Sequence, residues 1–262
     1  MRPDRVILGL LLLAMALALS ACAGGPGTGT PRSHSGETSA IAQRAILRAQ
    51  SLLAQGDAQT ALDHSQEALR VSPRSARVRV MHGNVLEALG RSREAGEHFL
   101  RAYTLDPKSG PVLNAYGAWL CRLGGRVDDA LEAFSNATLD ANYRTPAQAL
   151  ANAGSCAADA GREATAEMNF RAALELAPTN AHALFGLSKL ELHRGKLLNA
   201  RAFFQRREAL GSLGPAEVAL AIEIETAAGD TRATAYYRRQ LAAMAARLEA
   251  APSPSTTRSP QQ

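Results

Sequence analysis

The sequence predicts an all-α fold, an α-solenoid of about six helical hairpins, from three regularities of its small and aromatic residues. Glycines recur at intervals of 34 to 36 residues, and an alanine comes five residues after each of the first five. A phenylalanine follows that alanine by four residues in four units, and a proline closes three units. The recurring residues are Gly56, Gly90, Gly125, Gly161, Gly195 and Gly229; Ala61, Ala95, Ala130, Ala166 and Ala200; Phe99, Phe134, Phe170 and Phe204; Pro73, Pro107 and Pro178.

Each recurring residue has a physical role in a helical hairpin. The glycine breaks the first helix because it adopts backbone conformations closed to other residues, and the small alanine lets the second helix approach closely. The phenylalanine fills the gap between the helices, and the proline stops the second helix because it has no backbone N–H. The period of 34 residues is that of the tetratricopeptide repeat (TPR), so we expect a right-handed α-solenoid of TPR hairpins.

The period divides the folded part of the chain into six repeats, whose edges depart from the pattern in places. The third repeat has an extra residue in its Gly124-Gly125 turn and carries Asn142 where its proline is expected. Thr145 and Asn180 are predicted to cap the helices that follow them, since such side chains accept hydrogen bonds from N-terminal N–H groups. The repeats of the TPR array, 40–248, are 42–75, 76–109, 110–144, 147–180, 181–214 and 215–248.

The N-terminal segment has the organisation of a lipoprotein signal peptide. Arg2 and Arg5 precede an apolar run, 6–19, which is too short for a membrane-spanning helix and ends at Leu19-Ser20-Ala21-Cys22. This tetrapeptide is a bacterial lipobox, so we expect removal of residues 1–21 and lipidation of Cys22. A diacylglycerol on its sulfur and a third acyl chain, such as palmitate, on its amine would anchor the protein permanently. The alternative is an ordinary signal peptide with a chance cysteine.

Low-complexity segments flank the predicted array. Residues 22–39 consist mostly of Gly, Pro, Thr and Ser, a composition typical of a flexible tether. The segment 249–262 is rich in Pro, Ser and Thr and is predicted to be a disordered tail. The tether would hold the array just off the bilayer.

Composition and motifs exclude several classes of function. The formal net charge is +5 and aromatic residues make up 5% of the chain, without the clusters of Lys, Arg and aromatic side chains that nucleic-acid binding needs. The six histidines form no His-Glu-x-x-His motif, and no phosphate-binding loop or Gly-x-Ser-x-Gly motif is present. We therefore expect no enzymatic activity, no metal, no small-molecule substrate and no cofactor besides the lipid on Cys22.

Two cysteines remain once Cys22 is lipidated. Cys121 falls late in the first helix of repeat three, and Cys156 falls near the middle of the first helix of repeat four. Because these helices stack side by side in a solenoid, a disulfide is geometrically accessible, and an exported chain is exposed to an oxidising compartment. The alternative is a pair of separate buried thiols that pack as small hydrophobes.

Partner binding in such a solenoid is expected on the concave face, which the first helices line. Asparagines there are the more telling members, because an amide can bond both the N–H and the C=O of an extended peptide backbone. The candidate groove residues are Ile46, Gln50, Val80, Asn84, Asn114, Asn152, Ser155, Phe185 and Lys189.

The middle of the array resembles a particular family. The segment Asn-Ala-Tyr-Gly-Ala-Trp-Leu-Cys at 114–121, the extended turn after it and the later Cys156 are similar to the type IV pilus biogenesis lipoproteins of the PilF/PilW kind. The resemblance runs from the lipobox to the sixth repeat. It implies an outer-membrane lipoprotein, facing the periplasm, that acts as a pilotin and promotes localisation and multimerisation of the pilus secretin. Ala23, in place of an inner-membrane retention aspartate, agrees with outer-membrane sorting.

Two other functions remain open at this point. A TPR lipoprotein of the outer-membrane protein assembly machinery would have the same anchor and the same repeats. A scaffold for a periplasmic enzyme is the third alternative.

Overall fold

A computed structural model describes residues 38–250 of the chain as twelve α-helices. The predicted signal peptide, the lipidation site Cys22 and nearly all of the predicted tether and tail lie outside the described residues. The helices are α1 (Ala40–Ala54), α2 (Ala58–Val71), α3 (Ala76–Ala88), α4 (Ser92–Leu105), α5 (Gly110–Leu123), α6 (Val127–Ala137), α7 (Pro146–Asp159), α8 (Glu163–Leu176), α9 (Ala181–His193), α10 (Leu197–Glu208), α11 (Pro215–Ala227) and α12 (Thr231–Ala250). None of these helices is long and apolar enough to cross a membrane.

Consecutive helices pair as six hairpins, from α1 with α2 to α11 with α12. A glycine with positive φ separates the two helices of every hairpin, as at Gly56 (φ 82°) and Gly229 (φ 72°). Side-chain-bearing residues rarely adopt this conformation, so the glycine ends the first helix and reverses the chain. The predicted role of the periodic glycines is confirmed.

The two helices of a hairpin are held together by a buried phenylalanine. Phe99, Phe134 and Phe170 are each 1% exposed, and each ring faces a glycine of its own first helix. A Cβ on Gly154 would lie 2.5 Å from Phe170 Cδ1, a distance that no real Cβ tolerates. The predicted crossing of the helices at these glycines is therefore a close contact between ring and backbone.

The hairpins stack through their first helices. Each first helix packs against the first helix of the next hairpin, and each second helix also contacts the first helix that follows it. This pattern repeats from α1 to α11 and builds the all-α TPR solenoid that the sequence predicts. We call the surface formed by α1, α3, α5, α7, α9 and α11 the first-helix face.

The third hairpin ends in a loop that has Asn142 at the position where three other repeats have a proline. The Asp140 carboxylate accepts hydrogen bonds from the backbone N–H of Gly110 (2.7 Å) and of Asn142 (2.9 Å). These bonds lower the pKa of Asp140, because they stabilise the ionised form. Tyr143 is buried against Gly110, so the loop ties the start of α5 to the chain that leads into α7.

The two predicted helix caps differ in outcome. The Asn180 side chain accepts a hydrogen bond from Ala183 N at 2.9 Å, as predicted. Thr145 makes no such bond, so that prediction is wrong. Its backbone (φ −128°, ψ 51°) is not extended, and Pro146 already removes the first N–H that would need a partner.

The last two residues of the predicted tether, 38–39, make contacts within the first hairpin. Ser39 caps α1 by accepting a hydrogen bond from Ala42 N at 3.2 Å, and its own N–H donates to Ser72 Oγ. Thr38 Oγ1 lies 2.5 Å from Ser75 Oγ. These two residues therefore belong to the first hairpin.

We predict that Gly154→Ala and Gly117→Ala change stability differently. Alanine favours a helix interior over glycine by about 1 kcal/mol, but at Gly154 the new methyl group overlaps the Phe170 ring and overpacking costs about 2–3 kcal/mol. At Gly117 the nearest atoms, 3.1 Å away, need to shift only slightly. Thermal unfolding followed by circular dichroism should show a melting temperature lowered by about 4 °C for Gly154→Ala and nearly unchanged for Gly117→Ala. Equal effects would contradict the close-contact interpretation.

Candidate functional site

The candidate groove residues do not all reach the surface. Ile46 is 3% exposed and lies in the core shared by the first two hairpins, so its prediction as a groove residue is wrong. Which side of α1 faces solvent is set by the packing of α1 against α2 and α3. The local sequence pattern does not specify that packing. Val80 is half-buried against the cluster of Ala76, Ala102 and Val112 and is likewise a packing residue.

Gln50 and Asn84 lie exposed on the first two hairpins. They belong to α1 and α3, and their side chains are turned to solvent. These positions keep the polar character predicted for the groove, but no neighbouring side chain orients them. The side chains of this face that are held by hydrogen bonds lie further along the array, on α5, α7 and α9.

Asn114 and Asn152 meet across the boundary between the third and fourth hairpins. Asn152 Nδ2 donates to Asn114 Oδ1 at 2.9 Å, and Gln148 Nε2 donates to Asn152 Oδ1 at 3.0 Å. The sequence analysis predicted that these asparagines would bond the backbone of a partner peptide. In the structure, much of their hydrogen-bonding capacity is used instead between α5 and α7. What remains for a partner is fixed in direction.

The same chain of hydrogen bonds continues to α9 through His182. Gln148 Nε2 lies 3.1 Å from His182 Nδ1, and Ser155 Oγ lies 2.8 Å from His182 Nε2. We call Asn114, Asn152, Gln148, His182 and Ser155 the polar ladder. It joins the first helices of three successive hairpins.

The hydrogen bonds of the polar ladder constrain where His182 carries its proton. When Gln148 Nε2 donates to His182 Nδ1, the neutral ring carries its proton on Nε2, and Ser155 Oγ accepts that proton in a hydrogen bond. Burial lowers the pKa of His182, which keeps the ring neutral at pH 7. Ser155 lies inside α7, where the helix uses the backbone N–H groups that an oxyanion hole would need.

A cavity of about 550 Å³ lies beside the polar ladder, between α7 and α9. Three of the predicted groove residues line it, namely Ser155, Phe185 and Lys189. Phe185 is half-buried and Lys189 is exposed. Three of the nine predicted groove residues therefore lie together around one cavity of the first-helix face.

An ion-pair network holds the wall of this cavity formed by α8 and α9. Arg194 bonds the carboxylates of Glu163 at 2.9 Å and Glu167, and these bonds lower the pKa of both glutamates. Glu191, 1% exposed, accepts from Arg194 and from Asn199 Nδ2 at 2.7 Å. Since Arg194 and Glu191 both have partners, the network holds the C-terminal end of α9 against α8.

Sequence reasoning missed His182, Gln148 and Gly186 as parts of this site. His182 and Gln148 occupy ordinary first-turn positions of their helices, and only the stacking of the hairpins joins them. Gly186 had a signal, since it lies outside the register of the other helix glycines. Within residues 38–250 no group of three or more His, Cys, Asp or Glu side chains is arranged to hold a metal ion.

Comparison with known proteins places this architecture in a family. The sequence profile of the tetratricopeptide repeat matches residues 46–110, 124–181 and 164–212. The chain belongs to the tetratricopeptide repeat family. No curated protein sequence matches this TPR protein.

Solved structures similar to this TPR protein include a pilus protein. PilW, described as a widely conserved type IV pilus biogenesis factor, is 25% identical, with a TM-score of 0.66 over 78% of this chain and 94% of that chain. The pilF protein of Pseudomonas aeruginosa is 21% identical, with a TM-score of 0.63 over 78% and 91%. In the Cut9-Hcn1 complex the match is 18% identical, with a TM-score of 0.66 over 77% and 39%. The last two similarities concern the fold alone.

The TPR structure joins Cys121 and Cys156 in a disulfide between α5 and α7, with their Cα atoms 5.7 Å apart. The Asn152 to Asn114 hydrogen bond crosses between the same two helices. Covalent and polar contacts therefore fix the boundary between the third and fourth hairpins, next to Ser155 of the polar ladder.

A second polar cluster lies inside the first two hairpins of the TPR array. His82 is 6% exposed, its Nδ1 lies 2.8 Å from Ser65 Oγ, and its ring centroid lies 4.6 Å from that of His98. Burial, followed by the charges of His98 and Arg91, lowers the pKa of His82 to about 4. This cluster belongs to the interior of the first two hairpins.

We predict that the disulfide stabilises the array as a single crosslink. Cys121→Ser and Cys156→Ser should each lower the free energy of unfolding by about 3–4 kcal/mol, because either change opens a loop of 35 residues. The melting temperature should fall by about 10 °C in each. The double variant should fall hardly further. Two alkylatable thiols in the exported protein, found by mass spectrometry, would contradict the prediction.

We predict that acid destabilises the first two hairpins through His82. The unfolded chain binds a proton near pH 6.5, whereas folded His82 does so only near pH 4, so the free energy of unfolding falls as the pH falls through this interval. The loss between pH 7 and pH 5 is about 2 kcal/mol. His82→Asn, which retains a donor toward Ser65, should show a smaller decrease in melting temperature over the same interval. Equal decreases for both proteins would rule out His82 as the origin. The charged and titratable groups near His82 are His98, Arg79, Arg91 and Glu94.

Proposed function

We propose that this TPR protein is an outer-membrane lipoprotein adaptor for type IV pilus biogenesis. It binds a subunit of the secretin through which the pilus passes and promotes the localisation and multimerisation of that subunit. The adaptor is not an enzyme and uses no cofactor besides the lipid on Cys22. Its partner is a protein, not a nucleic acid or a small-molecule substrate.

The observation that carries this proposal is the structural similarity to PilW. It extends over 94% of the PilW chain, so it includes nearly the whole array and is not limited to one or two generic hairpins. The Asn-x-Tyr-Gly-x-x-Leu-Cys segment at 114–121 supports the same assignment. Its Asn114 belongs to the polar ladder and its Cys121 to the disulfide.

The lipobox supports the location. Acyl chains on Cys22 stabilise membrane attachment by about 0.8 kcal/mol for each buried CH₂, so three chains hold the protein at the bilayer. Secretin subunits multimerise in the outer membrane, and an adaptor tethered to that membrane raises their local concentration there.

The first-helix face supports a binding role. Its amide, imidazole and hydroxyl groups are held in fixed directions by the polar ladder, and an apolar cavity opens beside them. Extended protein segments are recognised by this combination of main-chain hydrogen bonds and side-chain pockets.

The proposal is tested by removing the anchor. Cys22→Ser deletes the sulfur that accepts the diacylglycerol, so we expect the variant to leave the outer-membrane fraction, with fewer secretin multimers and less twitching motility. Membrane fractionation, secretin immunoblots and affinity capture from crosslinked envelopes measure these effects. Ala23→Ser, one residue away, keeps the sulfur and is the matched control.

Two outcomes would overturn the proposal. Normal secretin multimers in cells that carry only Cys22→Ser would contradict the anchored-adaptor role. Capture of a barrel-assembly complex without secretin would assign the protein to outer-membrane protein assembly instead.

A further inference from the structure

The cavity between α7 and α9 has an aromatic floor because a side chain is missing above it. Gly186 stands where the positions 34 residues before and after it carry Asn152 and Leu220. A Cβ on Gly186 would lie 2.3 Å from Phe170 Cζ, so the Phe170 ring occupies the space that a side chain would need. The fourth and fifth hairpins therefore meet over the edge of a buried aromatic ring.

The cavity has a mixed lining, with an apolar part formed by residues of α9 and α7. Phe185 and Leu190 contribute side chains from α9, and Ala158 contributes a methyl group from α7. A hollow of about 550 Å³ with such a lining is of the size and character that takes up a large apolar side chain.

A cation without an ion-pair partner stands at the rim of this hollow. Arg194 and His193 both pair with Glu163, whereas Lys189 has no carboxylate oxygen within 4.0 Å among the described residues. Lys189 is exposed and follows Phe185 by one turn of α9. It is the rim cation available to a carboxylate from outside.

We propose that this cavity binds an extended segment of a partner protein through a large apolar side chain and an acidic side chain two residues away. Phe185 and Lys189 are separated by a rise of about 6 Å along the helix. Two residues of an extended chain span about 6.6 Å, and their side chains point to the same face. The apolar side chain enters the cavity beside Phe185 while the carboxylate pairs with Lys189.

Polar groups on the α7 side of the cavity can bond the backbone of the segment. Ser155 Oγ and the amide of Asn152 lie there, within the polar ladder. Two carboxylates, Asp159 and Glu163, also line the cavity. Glu163 is paired with Arg194 and His193, so Lys189 is the cation that the carboxylate of the segment meets. This inference rests on the proposed function only in taking the occupant to be a partner protein.

The experiment uses the full-length lipidated protein in detergent and three fluorescein-labelled peptides. The first, Gly-Ser-Phe-Ser-Asp-Ser-Gly, carries both features; the second has Lys in place of Asp, and the third has Ala in place of Phe. Fluorescence anisotropy should show that the unmutated protein binds the first peptide about tenfold more tightly than either of the others. Lys189→Glu should reverse the preference between the Asp and Lys peptides, and Ala158→Phe, which fills the cavity, should weaken binding of both about tenfold.

Lys108→Glu is the matched control, because it makes the same charge change in the exposed turn between α4 and α5. It should leave all three affinities unchanged. The inference is overturned if the unmutated protein does not bind the Asp peptide, binds the three peptides equally, or keeps its preference after Lys189→Glu. Circular dichroism confirms the fold of each variant, and the surface change Lys189→Glu decides the question if Ala158→Phe does not fold. No secretin is present, so this inference and the proposed function fail or succeed separately.

Discussion

In three consecutive hairpins, a buried phenylalanine of the second helix packs against a glycine of the first. Because a Cβ on that glycine would overlap or crowd the ring, the two helices approach more closely than two surfaces with side chains would allow. This contact fixes how the helices cross, and therefore which side of each first helix faces the next hairpin. The disulfide between α5 and α7 and the polar ladder across α5, α7 and α9 both depend on that orientation.

Side chains in the middle of the first-helix face are hydrogen-bonded to one another, whereas those on its first two helices are not. Gln50 and Asn84 stand exposed on the first hairpins, whereas the ladder from Asn114 to Ser155 orients its polar groups by bonding them to one another. Such groups lose little further conformational freedom when a partner binds. The crosslink at Cys156 lies one residue from Ser155, so the covalent constraint holds the helix that carries most of the ladder.

Sequence patterns predicted the parts of the structure that arise within one hairpin. The turn glycines, the buried phenylalanines and the Asn180 cap all follow from local backbone geometry and from packing between two adjacent helices. Ile46 was assigned to the wrong environment, because residues on the first-helix face and in the core occupy neighbouring positions on the same helix. Thr145 was assigned a cap that its backbone conformation does not permit.

The sequence by itself determined that this chain is a stack of TPR hairpins and which residues end each helix, because a fixed spacing reports local helix geometry. Contacts between hairpins divide into two kinds. Gln148 and His182 are 34 residues apart and Cys121 and Cys156 are 35 apart, close to the period of the repeat. Only the tertiary structure decided the contacts that depart from the period, since Asn114 and Asn152 are 38 residues apart and Ser155 and His182 are 27 apart. Such contacts depend on the rotation of one hairpin against the next. Side-chain packing over the whole interface sets that rotation, and no spacing in the sequence encodes it.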